Sequence, residues 1–332
     1  MPERNDLVAI GNAILDILCR CDDGFLTKLG CIKGHMNRVA TAESLAKVAS
    51  TLRPVAEVSG GKAANVAVGI ASLGGRSTFI GRVADDECGR IFRHDIVGAG
   101  VNYKTAPARG PDKKTSRSLI LVTPDGQRTM NTYLGCSVEL DGAIDAHDIE
   151  TAKIVLLEGY LFESPACAQA VRRAVSLCRG GYQKIALALP DAMSVERARE
   201  ELRALVASGI HIVIGNEKEF EALYQVGTLQ DAVRQVGATV PIGVVTCGAR
   251  GSLVVMGKSV HSIAPEKVRN VVDLTGAGDL FAAGFLFGIS RGLSSDNSAR
   301  LASFAAAEII GQFGARPEIN LGNLARVRGL IH

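Results

Sequence analysis

The chain has 332 residues, of which 47% are hydrophobic and 21% charged, with 37 glycines and a formal net charge of +3. That length and balance predict one large α/β domain, with at most a small appendage, able to bury a sizeable core. The small, scattered charge gives no reason to propose nucleic acid or an acidic membrane as partner, and no apolar run approaches the roughly 18 residues of a membrane helix.

The opening Met1-Pro2-Glu3-Arg4-Asn5-Asp6 is polar and lacks signal-peptide character. Leu7-Val8-Ala9-Ile10-Gly11 reads as a short buried strand ending at a glycine. Asn12 and Asp16 follow it. A carboxylate held there suits two hydroxyls of a sugar, although by chance such an Asp is a solvated loop residue. The stretch from about 12 to 58 is less regular, with a strand near 34–39 and a short helix over 41–51. At Gly60-Gly61 the backbone can approach a ligand closely, and a helix predicted over 62–73 presents its N-terminus there, with Asn65 one turn in. A strand at 77–82 and a helix at 87–98 come next. Segments 116–123 and 128–134 read as a hairpin across Pro124-Asp125-Gly126-Gln127. The guanidinium of Arg128 suits phosphate oxygens, although an arginine after a turn is usually solvated.

The second half alternates strands at 154–157, 184–189, 210–214 and 244–246 with helices near 165–179, 194–207 and 216–224. This rhythm predicts a doubly wound, mostly parallel sheet whose ligands bind beyond the carboxyl ends of the strands. Gly11, Tyr160, Asp191, Asn216 and Gly248 all fall at or just after such ends, which points to one cleft. No repeat or interdomain linker divides residues 1–332. Asn216 and Glu219, at i and i+3 after a strand, suit either a capping box or a Mg²⁺ held through its waters. Thr246, Gly248 and Gly251 form a turn that either cradles phosphates or closes a hairpin into 252–255. In Thr275-Gly276-Ala277-Gly278-Asp279, small residues leave amides uncovered at a helix N-terminus, and a first-turn carboxylate faces whatever anion binds. Eight cysteines (Cys19, Cys21, Cys31, Cys88, Cys136, Cys167, Cys178, Cys247) show no C-x-x-C spacing and read as structural thiols of a cytoplasmic protein. The histidines show no ligand spacing.

Asp273-x-Thr275-Gly276-Ala277-Gly278-Asp279 and Ser59-Gly60-Gly61-Lys62-Ala63-Ala64-Asn65 resemble the two signatures of the ribokinase-like (PfkB) family of carbohydrate and nucleoside kinases. Leu73-Gly74-Gly75, the run from Gly81 to Gly89, Asn216-x-x-Glu219 and Thr246-x-Gly248-x-x-Gly251 extend the resemblance, in family order, over nearly the whole chain. The resemblance implies the doubly wound fold with a small β lid built from approximately 13–58 and 101–135. It implies ATP and Mg²⁺ as cofactors. Asp279 would be the base, with Gly276, Ala277 and Gly278 amides stabilising the transferred group. Asn12, Asp16, Gly60, Gly61 and Asn65 would hold sugar hydroxyls, and Arg128 would reach toward the transferred phosphate. Asn216 and Glu219 would organise Mg²⁺, while Asn216, Thr246, Gly248 and Gly251 would meet ATP. Asp273 and Thr275, with carbonyls near 311–318, would bind a monovalent cation such as K⁺. Lys62 stands where a small residue is often found.

Arg128-Thr129-Met130, Glu158-Gly159-Tyr160-Leu161-Phe162 and the long insert before Gly60 are similar to the adenosine-kinase branch. Tyr160, with Met36 and Leu134 from the lid, would form a slot for a flat base; the alternative for Tyr160 is core packing. The expectation is therefore an ATP-dependent kinase acting on the 5′-hydroxyl of a ribonucleoside, adenosine first, as a monomer or homodimer. The alternatives are a kinase of ribose, fructose or a phosphorylated sugar, and an inactive nucleoside-binding regulator. An NAD-dependent oxidoreductase fails because no G-x-G-x-x-G follows the first strand.

Overall fold

Short apolar runs bounded by glycine and polar turns set the strands, and longer amphipathic stretches set the helices. The computed structural model describes residues 4–178, 181–268 and 270–332; the start of the polar opening and the last residue of the helix expected over 165–179 lie outside the described residues. The strands are β1 (Asn5–Ile10), β2 (Ile14–Arg20), β3 (Met36–Arg38), β4 (Pro54–Gly60), β5 (Ser77–Ile80), β6 (Ser116–Val122), β7 (Arg128–Tyr133), β8 (Ala152–Glu158), β9 (Lys184–Ala188), β10 (Ile212–Asn216), β11 (Ile242–Thr246), β12 (Ser252–Met256) and β13 (Ser259–Ile263). The helices are α1 (Asp23–Leu29), α2 (Ala42–Ala49), α3 (Lys62–Ser72), α4 (Glu87–Gly98), α5 (Ala146–Glu150), α6 (Pro165–Cys178), α7 (Ala192–Arg197), α8 (Arg199–Ala207), α9 (Glu217–Tyr224), α10 (Leu229–Thr239), α11 (Ala277–Ser290), α12 (Ser295–Ile309) and α13 (Leu321–Val327).

An eight-stranded sheet runs β13-β12-β11-β10-β9-β8-β1-β5. It is parallel from β5 to β11; β12 runs antiparallel to β11, and β13 antiparallel to β12. Alternate residues of the parallel strands feed two cores. Leu7, Ala9, Ile154, Leu156 and Ile212 pack under α3, α11 and α12, while Val8, Ile10, Val155, Leu157 and Val213 pack under α6, α8, α9 and α10. Cover on both faces explains why these strands are nearly continuous apolar runs. The helix expected over 194–207 is two helices, α7 and α8, broken at the buried Ala198 (φ −109°, ψ 21°) with no glycine or proline to mark the break.

A second sheet of five strands, β3-β7-β6-β2-β4, lies over the carboxyl ends of the first. Its odd-numbered side chains Ile17, Cys19, Leu119 and Leu121 pack against Leu26 of α1 and Leu45 of α2. The strands of this lid span 14–60 and 116–133. Residues 101–115, grouped with the lid on sequence grounds, instead bridge to the main body, Asn102 to Thr78 and Ala108 to Ala84. Asp16 is a strand residue buried in β2 rather than a solvated loop residue. All eight cysteines are free, and burial pushes the Cys136 thiol up to about 12. Among the described residues no cluster of three or more His, Cys, Asp or Glu side chains is placed to hold a metal, and no helix is long and apolar enough to cross a membrane.

Candidate active site

The helix α11 carries the close-packed part of the cleft. Its apolar run Leu280–Gly288 is buried against α3 and α12. Two glycines allow this contact: a Cβ on Gly69 would lie 2.5 Å from the Ala283 Cβ, and one on Gly284 would lie 2.7 Å from the Ala302 Cα. Gly276 caps the helix in the left-handed region (φ 79°, ψ −2°), where a Cβ would meet Ala315 at 2.6 Å. Ala277 and Gly278 add little side-chain bulk over the first turn, where the Ala277 amide donates to the Leu274 carbonyl at 3.3 Å. The half-buried Asp279 accepts a 2.8 Å hydrogen bond from Asn65 Nδ2 of α3. The loop before α11 is tied down by the fully buried Asp273. Its Oδ1 accepts from the Thr275 amide (2.8 Å) and hydroxyl (2.6 Å), and its Oδ2 from the Gly314 amide (2.8 Å).

One chamber of the cleft lies between α3 and the lid. Cross-strand register lines up Asp16, Ser118 and Thr132 in a polar row, with Ser118 and Thr132 hydroxyls 2.8 Å apart. The next row is Ile120, Met130 and Met36, and it is apolar. These are the even-numbered residues of the lid strands, so period two delivers both rows to one face. Gly60 and Gly61 are small for separate reasons. A Cβ on Gly60 would collide with the Asp16 carboxylate at 2.0 Å, and Gly61 (φ 100°) would strike the Asn12 carbonyl oxygen at 2.1 Å. Gly61, Leu134 and Arg128 line this chamber, whereas Gly60 acts by making room for Asp16. Tyr160 lines it too, its hydroxyl donating to Asp191 at 2.8 Å; burial pushes the phenol well above its ordinary value.

The buried Oδ1 atoms of Asn12 and Asn65 have no protein partner, so both can accept from a ligand hydroxyl. Burial, opposed by Arg316, pushes the Asp16 carboxyl up to about 7. Glu158, at the carboxyl end of β8, was not singled out from sequence, yet it is 1% exposed and faces the same chamber. It accepts from the Ala63 amide (3.0 Å) and from Asn12 Nδ2 (3.3 Å). Burial raises it to about 7 as well, with Lys62 opposing. Its sequence signals were its place at the end of a buried strand and in the Glu158–Phe162 run, neither of which gave it a role in the site.

The other half of the cleft opens on the start of α11 and the turn after β11. Thr246, Gly248, Gly276, Ala277 and Gly278 line it with little side-chain bulk. Lys62 reaches into both halves, donating to the Leu189 carbonyl at 2.7 Å. Asn216 and Glu219 form a complete capping box: Glu219 accepts from the Asn216 amide (2.8 Å) and Nδ2 (2.8 Å), and the Glu219 amide donates to Asn216 Oδ1 (3.0 Å). Both residues line this half-cleft, and each Glu219 oxygen accepts only one of these bonds, which suits Mg²⁺ held through its waters. Gly251 does not face this space. It turns the chain (φ 89°) with its Cβ position 2.1 Å from the Ile263 carbonyl oxygen, so its role is in the β11–β12 connection. With both oxygens engaged by protein donors, Asp273 ties two loops together, and no monovalent-cation role is assigned to it or to Thr275.

A doubly wound sheet with a lid, a glycine-rich helix start and a carboxylate between two half-clefts defines a phosphotransferase of the ribokinase-like class. The family model for the pfkB family carbohydrate kinase matches residues 27–320. The chain belongs to that family, and it is an ATP-dependent nucleoside or sugar kinase. It is 41% identical to the adenosine kinase from Sinorhizobium meliloti, with a TM-score of 0.94 over 98% of this chain and 99% of that one. It is 38% identical to a probable sugar kinase protein from Rhizobium etli CFN 42, with a TM-score of 0.95 over 100% of both chains. The 5-dehydro-2-deoxygluconokinase of Shouchella clausii is 26% identical over 281 residues, 82% of this chain and 86% of that protein.

Proposed function

We propose that the enzyme transfers a phosphoryl group from ATP to the 5′-hydroxyl of a ribonucleoside, adenosine first. The observation that carries this reading is the pairing of two rows on the lid. Asp16, Ser118 and Thr132 offer polar atoms for ribose hydroxyls, and Met36, Met130 and Ile120, facing Tyr160, offer apolar area for a flat base. Similarity to the Sinorhizobium meliloti adenosine kinase supports it.

Asp279 takes the proton from the attacking hydroxyl, and Asn65 holds that carboxylate in place. Amides of Gly276, Ala277 and Gly278 meet the charge that develops on the transferring group. Arg128, which lines both half-clefts, neutralises it from the lid. Glu219 and Asn216 would hold Mg²⁺ through its waters, and the ion would there supply charge neutralisation for the ATP phosphates. The lid excludes water from the acceptor.

A second reading, a kinase of a sugar or sugar-derived acceptor, is favoured by the paired carboxyls Asp16 and Glu158, which suit a polyhydroxylated ring without a base, and by the similarity to 5-dehydro-2-deoxygluconokinases. Coupled ADP release with ATP, Mg²⁺ and a panel of nucleosides, ribose, fructose, phosphorylated sugars and 5-dehydro-2-deoxygluconate separates the two. The nucleoside reading expects adenosine to give the highest kcat/KM. A sugar that exceeds it overturns that reading, and nucleoside binding without any turnover points to a regulator instead.

A further inference from the structure

The loop after α12 carries a guanidinium that the mechanism above does not use. Arg316 has a side chain 15% exposed. Its Nη2 donates to the Ser59 carbonyl and to the Ser59 hydroxyl, the latter at 2.7 Å. Ser59 in turn is held by Asp95 of α4, through the Ser59 amide at 2.7 Å and through its hydroxyl. The remaining nitrogens of Arg316 are not satisfied. Nε lies 3.9 Å from Asp95 Oδ2, too long for a hydrogen bond, and Nε and Nη1 are both buried without a partner. A buried cation with unpaired donors is costly unless its charge is used.

Three carboxylates face this cation: Asp95 of α4, Asp16 of β2 and Asp279 of α11. Asp16 is faced in turn by Arg316, Asp279 and Arg128. Of its two cations, Arg316 has the larger effect on it. Arg316 does not line the acceptor chamber, so it acts through residues that do. Ser59 leads directly into Gly60, which packs on the Asp16 carboxylate, and Gly61, which lines the chamber.

We propose that Arg316 is a positioning residue: it seats the Ser59–Gly61 turn and holds Asp16 as the carboxylate that receives the acceptor's hydroxyls. The proposal rests on the reading of Asp16 as an acceptor-binding group. Asp16 must ionise in a buried place, and the fixed positive charge beside it offsets part of that cost. Removing the charge raises the pH at which Asp16 ionises, so the acid limb of kcat/KM for the acceptor moves to higher pH. Glu158 titrates in the same range but is opposed by Lys62 rather than by Arg316, so its contribution stays in place.

The test measures kcat and KM for adenosine, or for the panel acceptor that replaces it, at saturating ATP from about pH 5.5 to about pH 9. Arg316→Met and Arg316→Gln are expected to raise acceptor KM about 10-fold at neutral pH, with kcat within about 3-fold, and to move the acid limb up by about one pH unit. Arg316→Lys keeps the charge, so its limb stays near that of the parent while KM rises a few-fold. Ser59→Ala loosens the turn without touching the charge, and its limb also stays. Limbs of the Met and Gln variants that superimpose on the parent's overturn the proposal. If neither neutral variant folds, the Lys and Ala variants decide: an unmoved limb with raised KM supports the proposal, and a limb displaced with the charge intact overturns it. Asp16→Asn separates this from the underlying reading. An unchanged acceptor KM in that variant removes Asp16 from the acceptor site altogether, whereas a raised KM there beside unaffected Arg316 variants sinks the proposal alone.

Discussion

The two halves of the cleft are built by opposite means. The phosphate half is made of backbone: Gly276 to Gly278 at a helix start, Gly248 in a turn, and a capping box at Asn216 and Glu219. Asn216 and Glu219 satisfy each other within a single helical turn. The acceptor half is made of buried side chains from distant segments, and it is electrostatically tense. Asp16 and Glu158 are both raised to about 7, and the Oδ1 atoms of Asn12 and Asn65 lack partners. Backbone donors bind any phosphate at little cost in reorganisation. Unsatisfied side chains wait for one particular arrangement of hydroxyls, and they reject ligands that leave them unpaired.

The contrast is broken most directly at the junction of the halves. Asp279→Asn is expected to lower kcat by about 10²-fold or more while acceptor and ATP affinities stay within a few-fold; near-normal turnover in a steady-state assay would remove Asp279 as the base. Gly276→Ala forces a Cβ against Ala315 in a left-handed conformation. It should lower kcat about 10-fold or more and destabilise the fold by about 1–3 kcal/mol, read by turnover and by denaturant unfolding.

Glu158→Gln sharpens the contrast by setting stability against function. In the folded protein Glu158 titrates near 7, against an ordinary 4.5. The folded state therefore binds this proton more tightly than the unfolded chain does. The group's contribution falls as pH rises through that window. The Gln variant should have a higher Tm than the parent at about pH 8, the difference closing toward about pH 5, while acceptor KM rises about 10-fold. Calorimetry across that range showing no pH-dependent gap would contradict the assignment. The smallest effect is expected at Asn216→Ala. Loss of the cap costs about 1 kcal/mol, and a few-fold rise in the Mg²⁺ concentration needed for half-maximal rate would mark its second role.

The same division explains what could be read from the chain. The phosphate half lies in short contiguous runs, so Thr275 to Asp279 and Asn216-x-x-Glu219 were legible without a structure. The parallel order of β1 and β8 to β11 was legible too, because strands buried on both faces leave apolar runs. The acceptor half depends on register between strands far apart in sequence. Which lid residues face inward is fixed by pairing Asp16 with Ser118 and Ser118 with Thr132, and no single segment encodes that. Glu158 and Arg316 were missed for the same reason: each is an ordinary charged residue until folding buries it. At Gly251 the sequence left a phosphate turn and a hairpin turn open, because a turn glycine looks the same whether its backbone faces a ligand or a neighbouring strand.

The alternation of the lid strands has a consequence for how this enzyme can diverge. Odd positions such as Ile17, Leu119 and Leu121 hold α1 and α2 on the outer face, and even positions such as Ser118, Ile120 and Met130 line the chamber proposed for the acceptor. Preference for one acceptor over another can therefore be rewritten at every second residue with the supporting core left intact. A single-residue insertion in β6 would exchange the two sets wholesale. Substitution is thus the open road to new substrates on this scaffold, and length change within these strands is the closed one.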